Sequence, residues 1–275
     1  MAFQTWQIGL DIQNKQLCAL GIQRRREGWQ LRHWWRQPLP PDALRNGVLQ
    51  SSATLLARLH QWRKQLPQRI SLRVGLPPQL ALQRPLTLPN QALREPELSR
   101  YVHAAARRIF PIEPDALTLD YRPLDNDEKQ LCVTAARRTA IEQWLDPLRQ
   151  AGFFPDVFEL TPMSLAVVAR AARLPTGSVM VHHPGDHWLW HVQGGEAESG
   201  GSCSCDEIAD FSQLRQHYFS SASDIWFSAA SDIAAPAGTR AFSPLALLQH
   251  KQPPLPQYEE AFTLALGLAL RREDY

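Results

Sequence analysis

The segment that most constrains this chain lies at its start. Residues 6–12 (Trp-Gln-Ile-Gly-Leu-Asp-Ile) and 17–23 read as two strands about a short polar turn, so the pattern predicts a β-hairpin. The hairpin puts a carboxylate, Asp11, at the end of a buried strand, just before the turn. Small residues in such a turn let backbone N–H groups approach a phosphate closely, which a Cβ hinders. Here the turn carries Gln13 and Asn14 instead. The strand ends in an acid, but its turn offers no such phosphate cradle.

The order of elements after the hairpin narrows the fold. Trp29–Gln37 reads as a third meander strand, and Asn46-Gly47 as a turn into a helix that starts at Ser51 or Ser52 and runs to Leu66. Strand Ile70–Leu76 follows and is stopped by Pro77-Pro78. Three antiparallel strands, a helix and another strand begin an RNase-H-like lobe. Residues 80–150 read as an insertion with its own α+β pattern: strand Ala81–Leu88, a helix from about Arg94 to Phe110, and strands Ala116–Arg122 and Gln130–Ala136 about the turn Asp125-Asn-Asp-Glu128. A helix Thr139–Ala151 closes at Gly152, with Pro147 expected to kink or break it. Strand Asp156–Leu160 and helix 162–173 resume the lobe, and Pro175-Thr-Gly177 reads as a hinge. Beyond it come strands Val179–His183 and His187–Val192, turns at Gly194-Gly195 and Gly200-Gly201, and a helix Ser204–Tyr218. Strand Asp224–Ser228 and a last helix from Tyr258 to about Arg272 complete the chain.

Composition sets outer bounds. With 275 residues, 44% hydrophobic and 20% charged, the chain can bury a large core as one domain or two lobes. The N-terminus lacks a basic region before an apolar run, so it does not read as a secretory signal. The most apolar stretch, Ala261–Leu270, is far short of the roughly 20 residues of a membrane span. Charge is divided: residues 1–150 carry 22 Lys and Arg against 13 Asp and Glu, and residues 151–275 carry 7 against 14. That asymmetry fits two lobes and an acidic partner for the first, although scattered arginines also solvate helix faces. Cys18, Cys132, Cys203 and Cys205 form no paired zinc pattern, and the simplest setting is a reducing cytosol.

Four stretches, in order, carry a resemblance to a known family. They are Ile8-Gly-Leu-Asp11-Ile12; Val74-Gly-Leu-Pro77 with Gln83-Arg-Pro-Leu-Thr-Leu-Pro89; Val133-Thr-Ala-Ala-Arg137 with Leu148-Arg-Gln-Ala-Gly152-Phe153; and Phe262-Thr-Leu-Ala-Leu-Gly267-Leu-Ala-Leu270. The chain resembles the PilM family of actin-like type IV pilus assembly proteins. The resemblance implies an α/β, actin-like fold of two RNase-H-like lobes. Residues 1–79 with 153–175 would form the first, 80–152 a small α+β insertion, and 176–275 a reduced second lobe. It also implies a cytoplasmic scaffold of a pilus-like or DNA-uptake machine, held at the inner membrane by a single-pass PilN-like or HofN-like partner. The partner's N-terminal tail would lie extended in a groove between first lobe and insertion, at Leu76, Pro77, Leu82, Arg84, Leu86 and Leu88. Leu82, Leu86 and Leu88 read equally well as the buried face of a strand.

The same resemblance makes Gly9, Asp11, Gln13, Asn14 and Gly267 the remnant of a nucleotide cleft, with ATP and Mg²⁺ as candidate cofactors and none certain. The second expected turn falls at His182-His-Pro-Gly185-Asp186, where histidine stands for the acid and Pro184 removes a donor. Two degraded turns argue against efficient hydrolysis, so no catalytic residue and no metal ligand is named. Helix packing alone would also keep a glycine at 267. Two other functions stay open. One is an ATPase in which Asp11 holds Mg²⁺. The other is nucleic-acid binding through Arg24-Arg25-Arg26 beside Trp34-Trp35, although neighbouring tryptophans on a strand face opposite sides.

Overall fold

A computed structural model describes residues 5–40, 43–89, 93–124, 127–194 and 199–272. Asp125, Asn126 and Gly195 of the expected turns lie outside the described residues.

Alternation in β1 (Trp6–Ile12) sends Ile8, Leu10 and Ile12 into one core and leaves Gly9 and Asp11 on the opposite face. β2 (Gln16–Arg25) and β3 (Gly28–Pro38) complete the meander. Asn46 and Gly47, at φ 50° and 79°, form the tip of a short hairpin between β4 (Leu44–Arg45) and β5 (Val48–Leu49) rather than a lead into the helix. Two successive left-handed residues are what a tight two-residue hairpin needs. In α1 (Ala53–Arg63) the Ser52 hydroxyl accepts from the Leu55 N–H at 3.2 Å, and Leu55, Leu59 and Trp62 point inward. β6 (Ile70–Leu76) then pairs parallel with β1.

The insertion holds β7 (Ala81–Thr87), α2 (Glu97–Ile109), β8 (Leu117–Leu124) and β9 (Asp127–Arg137), in a sheet ordered β7-β9-β8. Leu86, Val102, Ala106, Phe110, Leu131 and Val133 give it a core of its own. α3 (Arg138–Gln150), grouped with the insertion on sequence, instead packs Trp144 and Leu148 into the first-lobe core. It also runs through Pro147 as one helix. The lost backbone hydrogen bond is outweighed there by burial of Trp144, Pro147 and Leu148. Gly152, at φ 80°, ends it: its N–H reaches Arg149 O and the Phe153 N–H reaches Leu148 O, both at 2.9 Å. β10 (Val157–Leu160) and α4 (Thr161–Ala171) follow.

The second lobe repeats the plan with β11 (Val179–His183), β12 (His187–Val192), β13 (Ser199–Ser204), α5 (Phe211–Tyr218), β14 (Ile225–Ala229) and β15 (Arg240–Ala241). Gly200 and Gly201 lie within β13, not in a turn. The helix expected from Ser204 starts only at Phe211, capped by Asp210 on the Gln213 N–H at 2.9 Å. One sheet runs β3-β2-β1-β6-β10 and the other β13-β12-β11-β14-β15, each with two antiparallel and then two parallel pairings. That identity of strand order is the duplicated, actin-like α/β architecture. β14 passes to β15 with no helix between them, so the second lobe is the smaller one. α6 (Thr263–Leu270) is buried from Thr263 to Ala269 and packs against both α4 and β1.

Candidate functional site

The turns of the two leading hairpins face each other across a cleft of about 160 Å³. Asp11, Gln13 and Asn14 line one side, Pro184, Asp186 and His187 the other, with Thr161 and Leu264 from the two central helices. Asn46 and Gly47 of the β4–β5 tip, with Pro77 and Gln79, border it further. The Trp144 indole N–H holds that tip by donating to Gly47 O at 3.1 Å.

Asp11 is only 1% exposed. Burial pushes its pKa up to about 6, against the Gln13 hydrogen bond and the charge of His187, which favour the carboxylate. The Gln13 amide donates to Asp11 Oδ2 at 2.5 Å. Gln16 carries the chain outward, donating to Gln13 Oε1 at 3.1 Å and to Ala230 O at 2.9 Å. Arg36 bonds both Gln16 Oε1 at 2.7 Å and Ala230 O at 2.8 Å. Across the cleft the Asn14 amide donates to Asp186 Oδ2, while His187 Nδ1 donates to Asp186 Oδ1 at 2.5 Å. The His187 hydrogen bond leads in holding Asp186 down at about pKa 2. The two turns are thus joined by their own side chains.

A magnesium–triphosphate does not fit this arrangement. Asn14 and Asp186 bridge the gap between the turns, and Gln13 caps the acid that would face a metal. The Gln13 backbone N–H is already spent on Gln16 O at 2.9 Å, and Pro184 has none. Among the described lining residues there is no Lys or Arg, while Asp11 and Asp186 repel phosphate. Nucleotide-sized pockets are generally upwards of about 300 Å³, well above this cleft.

Two expected cleft residues sit elsewhere. A Cβ on Gly9 would come 1.9 Å from Ala265 O, and one on Gly267 would come 2.2 Å from Ser164 O. Both glycines let α6 press against β1 and α4, and neither lines the cleft. Thr161, Asn46, Gln79 and His187 do line it and carried no sequence signal as a set. The Asn-Gly pair was visible as a turn, but its place over the cleft depends on Trp144, nearly 100 residues away in the chain.

The residues expected to meet a partner peptide divide in two. Leu76 is buried in the first-lobe core, and Leu86 with the partly buried Leu82 and Leu88 packs under α2. Pro77 lines the cleft and Arg84 is exposed. What stays open is the outer edge of β7, an edge strand. Leu88 N–H bonds Lys129 O at 2.7 Å, so the even-numbered residues of β7 turn their main chain toward β9 and the odd-numbered ones turn outward. On that edge Ala81 N–H bonds Pro78 O, Thr87 O accepts from Tyr101 at 3.1 Å, and Pro85 has no donor. Gln83 is left as the outward residue with an open main-chain donor, its carbonyl accepting from the Arg84 guanidinium at 3.0 Å. Trp35 is buried and stacks on Trp62 at 4.9 Å, while the partly buried Trp34 packs against Phe262 and donates to Pro254 O at 2.9 Å.

A family profile described as type IV pilus assembly protein PilM matches residues 9–179. The chain is 29% identical over 273 residues to the DNA utilization protein HofM of Escherichia coli (strain K12), covering 98% of both. Its fold is similar to that in the PilM-PilN type IV pilus biogenesis complex, with a TM-score of 0.71, 18% identity and 98% of each chain covered. It is also similar to the cytoplasmic domain of EpsL, an inner membrane component of the type II secretion system of Vibrio cholerae, with a TM-score of 0.53, 13% identity and 94% of each chain covered.

Proposed function

This chain belongs to the type IV pilus assembly protein PilM family, and we propose that it serves there as a non-catalytic adaptor that captures a peptide. The peptide is the N-terminal cytoplasmic tail of a PilN-like or HofN-like inner-membrane protein. The chain itself sits on the cytoplasmic face, as part of a pilus-like or DNA-uptake assembly. Two likenesses support that setting: one to a PilM-PilN pilus biogenesis complex, the other to the DNA utilization protein HofM.

The observation that carries the reading is the outer edge of β7, where Gln83 presents an open main-chain donor and a carbonyl held by the exposed Arg84 side chain, beside the junction to the first lobe. An extended peptide pairs with such an edge through its backbone and is selected by alternate side chains. The cleft closed by Asn14 and Asp186 supports a scaffold over an ATPase.

The test is fluorescence anisotropy with a labelled synthetic peptide of the partner's N-terminal tail from the same organism. Saturable binding in the micromolar range is expected. No binding at millimolar peptide, with the protein folded, overturns the reading. In parallel, millimolar Mg·ATP should leave the melting temperature unchanged. A rise that Asp11→Ala removes would restore the ATPase.

A further inference from the structure

We infer that the end of the first lobe remote from the cleft is a docking face for an anionic lipid surface. The face is assembled by strand register. Trp6 pairs with Ile70 and Arg24 with Trp29, and Asp156 N–H bonds Leu72 O. Those pairings bring Arg24, Arg25 and Arg26 of the β2–β3 turn, Arg69 before β6 and Phe154 before β10 to the same end of one sheet. The turn that borders the cleft lies at the other end of β1.

Three properties of this end belong together. First, Arg24, Arg25, Arg26, Arg32 and Arg69 are all exposed, and none forms a salt bridge with a described carboxylate. The acids nearest in the chain are Glu27, in the turn itself, and Asp156, whose carboxylate accepts the Leu72 N–H at 2.8 Å. The face is therefore strongly cationic. Second, Phe154 is 73% exposed, the most exposed of the large apolar side chains among the described residues. Burying a phenylalanine releases free energy that this one leaves unused. Third, half-buried Trp6 and Trp29 each carry a guanidinium over the ring, Arg32 and Arg24 respectively, both 5.0 Å from the centroid.

Those features choose between polyanions. A nucleic acid would use tryptophan faces to stack bases, but here the arginines already cover them. A duplex backbone also gains nothing from a projecting phenylalanine. A lipid surface rewards both parts: basic side chains are drawn to anionic headgroups, and an apolar residue between them enters the headgroup boundary. The contact goes beyond attachment through a partner's tail, because it predicts membrane affinity of the chain alone.

The experiment is co-sedimentation of the purified full chain with vesicles of phosphatidylglycerol and phosphatidylcholine in equal parts, or of phosphatidylcholine alone, at low salt. Binding to the anionic vesicles only is expected. R24E/R25E/R26E should weaken it by at least about 30-fold, and F154D by roughly tenfold. R107E/R108E, which reverses two exposed charges on α2, should bind as the unaltered chain does. Equal binding to both vesicles, or full binding by the triple variant, overturns the inference. An equal loss in R107E/R108E reduces the effect to net charge and also overturns it. So does a duplex oligonucleotide bound more tightly than anionic vesicles at the same salt.

Discussion

At Asp11, burial and hydrogen bonding pull against each other, and burial wins. The carboxyl pKa rises from 3.8 to about 6. Between those values the folded protein keeps a proton that the unfolded chain has lost, so stability falls as pH rises through this window. The cost is complete above pH 6 and amounts to about 3 kcal/mol. His182 runs the other way: its pKa drops to about 3 because it is buried, so it removes stability as pH falls. The unaltered protein's pH profile therefore mixes two opposed trends, and a difference measurement separates them. Asp11→Asn keeps an acceptor for Gln13 and removes the charge. Its melting temperature should match the parent near pH 4 and exceed it by roughly 5 °C at pH 8. A difference that does not vary with pH would show that Asp11 stays ionised throughout. Gly9 illustrates the opposite kind of constraint, purely steric. Gly9→Ala drives a Cβ into the Ala265 carbonyl of a buried helix, and an overpacking cost of about 3 kcal/mol is expected in denaturant unfolding. The parent's stability in that variant would mean that α6 shifts freely.

Among the elements, β7 makes the sharpest prediction about function. Gln83 is the outward residue of that edge with an open donor, and its own pairing with Thr134 is one in which neither main chain faces the other strand. Gln83→Pro should therefore leave folding and melting temperature near the parent's while weakening tail-peptide binding by about tenfold, as measured by anisotropy. Unchanged affinity would move the peptide off this edge. Strands with β-branched and aromatic alternation, such as β1, β6 and β11, were legible in the sequence because each sends one apolar face into a core. β13 was not. Its Gly200-Gly201 pair has turn chemistry, yet a Cβ at Gly201 would stand 2.5 Å from the Trp190 ring. The glycine makes room for a tryptophan on the neighbouring strand, a contact invisible to local pattern. Pro147 misleads for a related reason, since the helix around it is held by Trp144 and Leu148 in a core built largely from residues far earlier in the chain. At the site, Asp11, Gln13 and Asn14 could be read because they follow one strand. The Asp186 that Asn14 binds lies 172 residues away, and only the folded arrangement shows that the turns close on each other.

The duplication of strand order was half visible, because the second lobe keeps a helix before β14 but has none between β14 and β15. What ties the whole together is a carboxylate that no sequence pattern marked. Glu159 of β10 is 5% exposed and accepts from Arg271, which follows α6, and from Arg122 of β8 at 3.0 Å. Its other oxygen accepts the Leu160 N–H at 3.1 Å. One residue thereby joins the first sheet, the insertion and the end of the helix that packs between the lobes. The Arg122 arm is 40% exposed at its side chain and contributes little. The Arg271 arm is 6% exposed at each side chain and behaves differently. A buried pair adds little net stability when intact, but removing one member strands the other charge away from water. Glu159→Gln keeps the volume and exchanges the carboxylate that Arg271 and Arg122 share for a neutral amide. A loss of about 3 kcal/mol is expected, at the lower end of the usual range because Arg271 keeps other partners, Arg272 O at 2.8 Å among them. Because three bodies share the residue, the loss should appear as one lowered cooperative transition, with amide exchange in β8 and in α6 accelerating together. A local increase confined to β8, with the transition midpoint unmoved, would mean that the insertion hangs on the first lobe independently of the chain's end. The insertion would then flex at that joint, and a force applied at β7 would not reach α6.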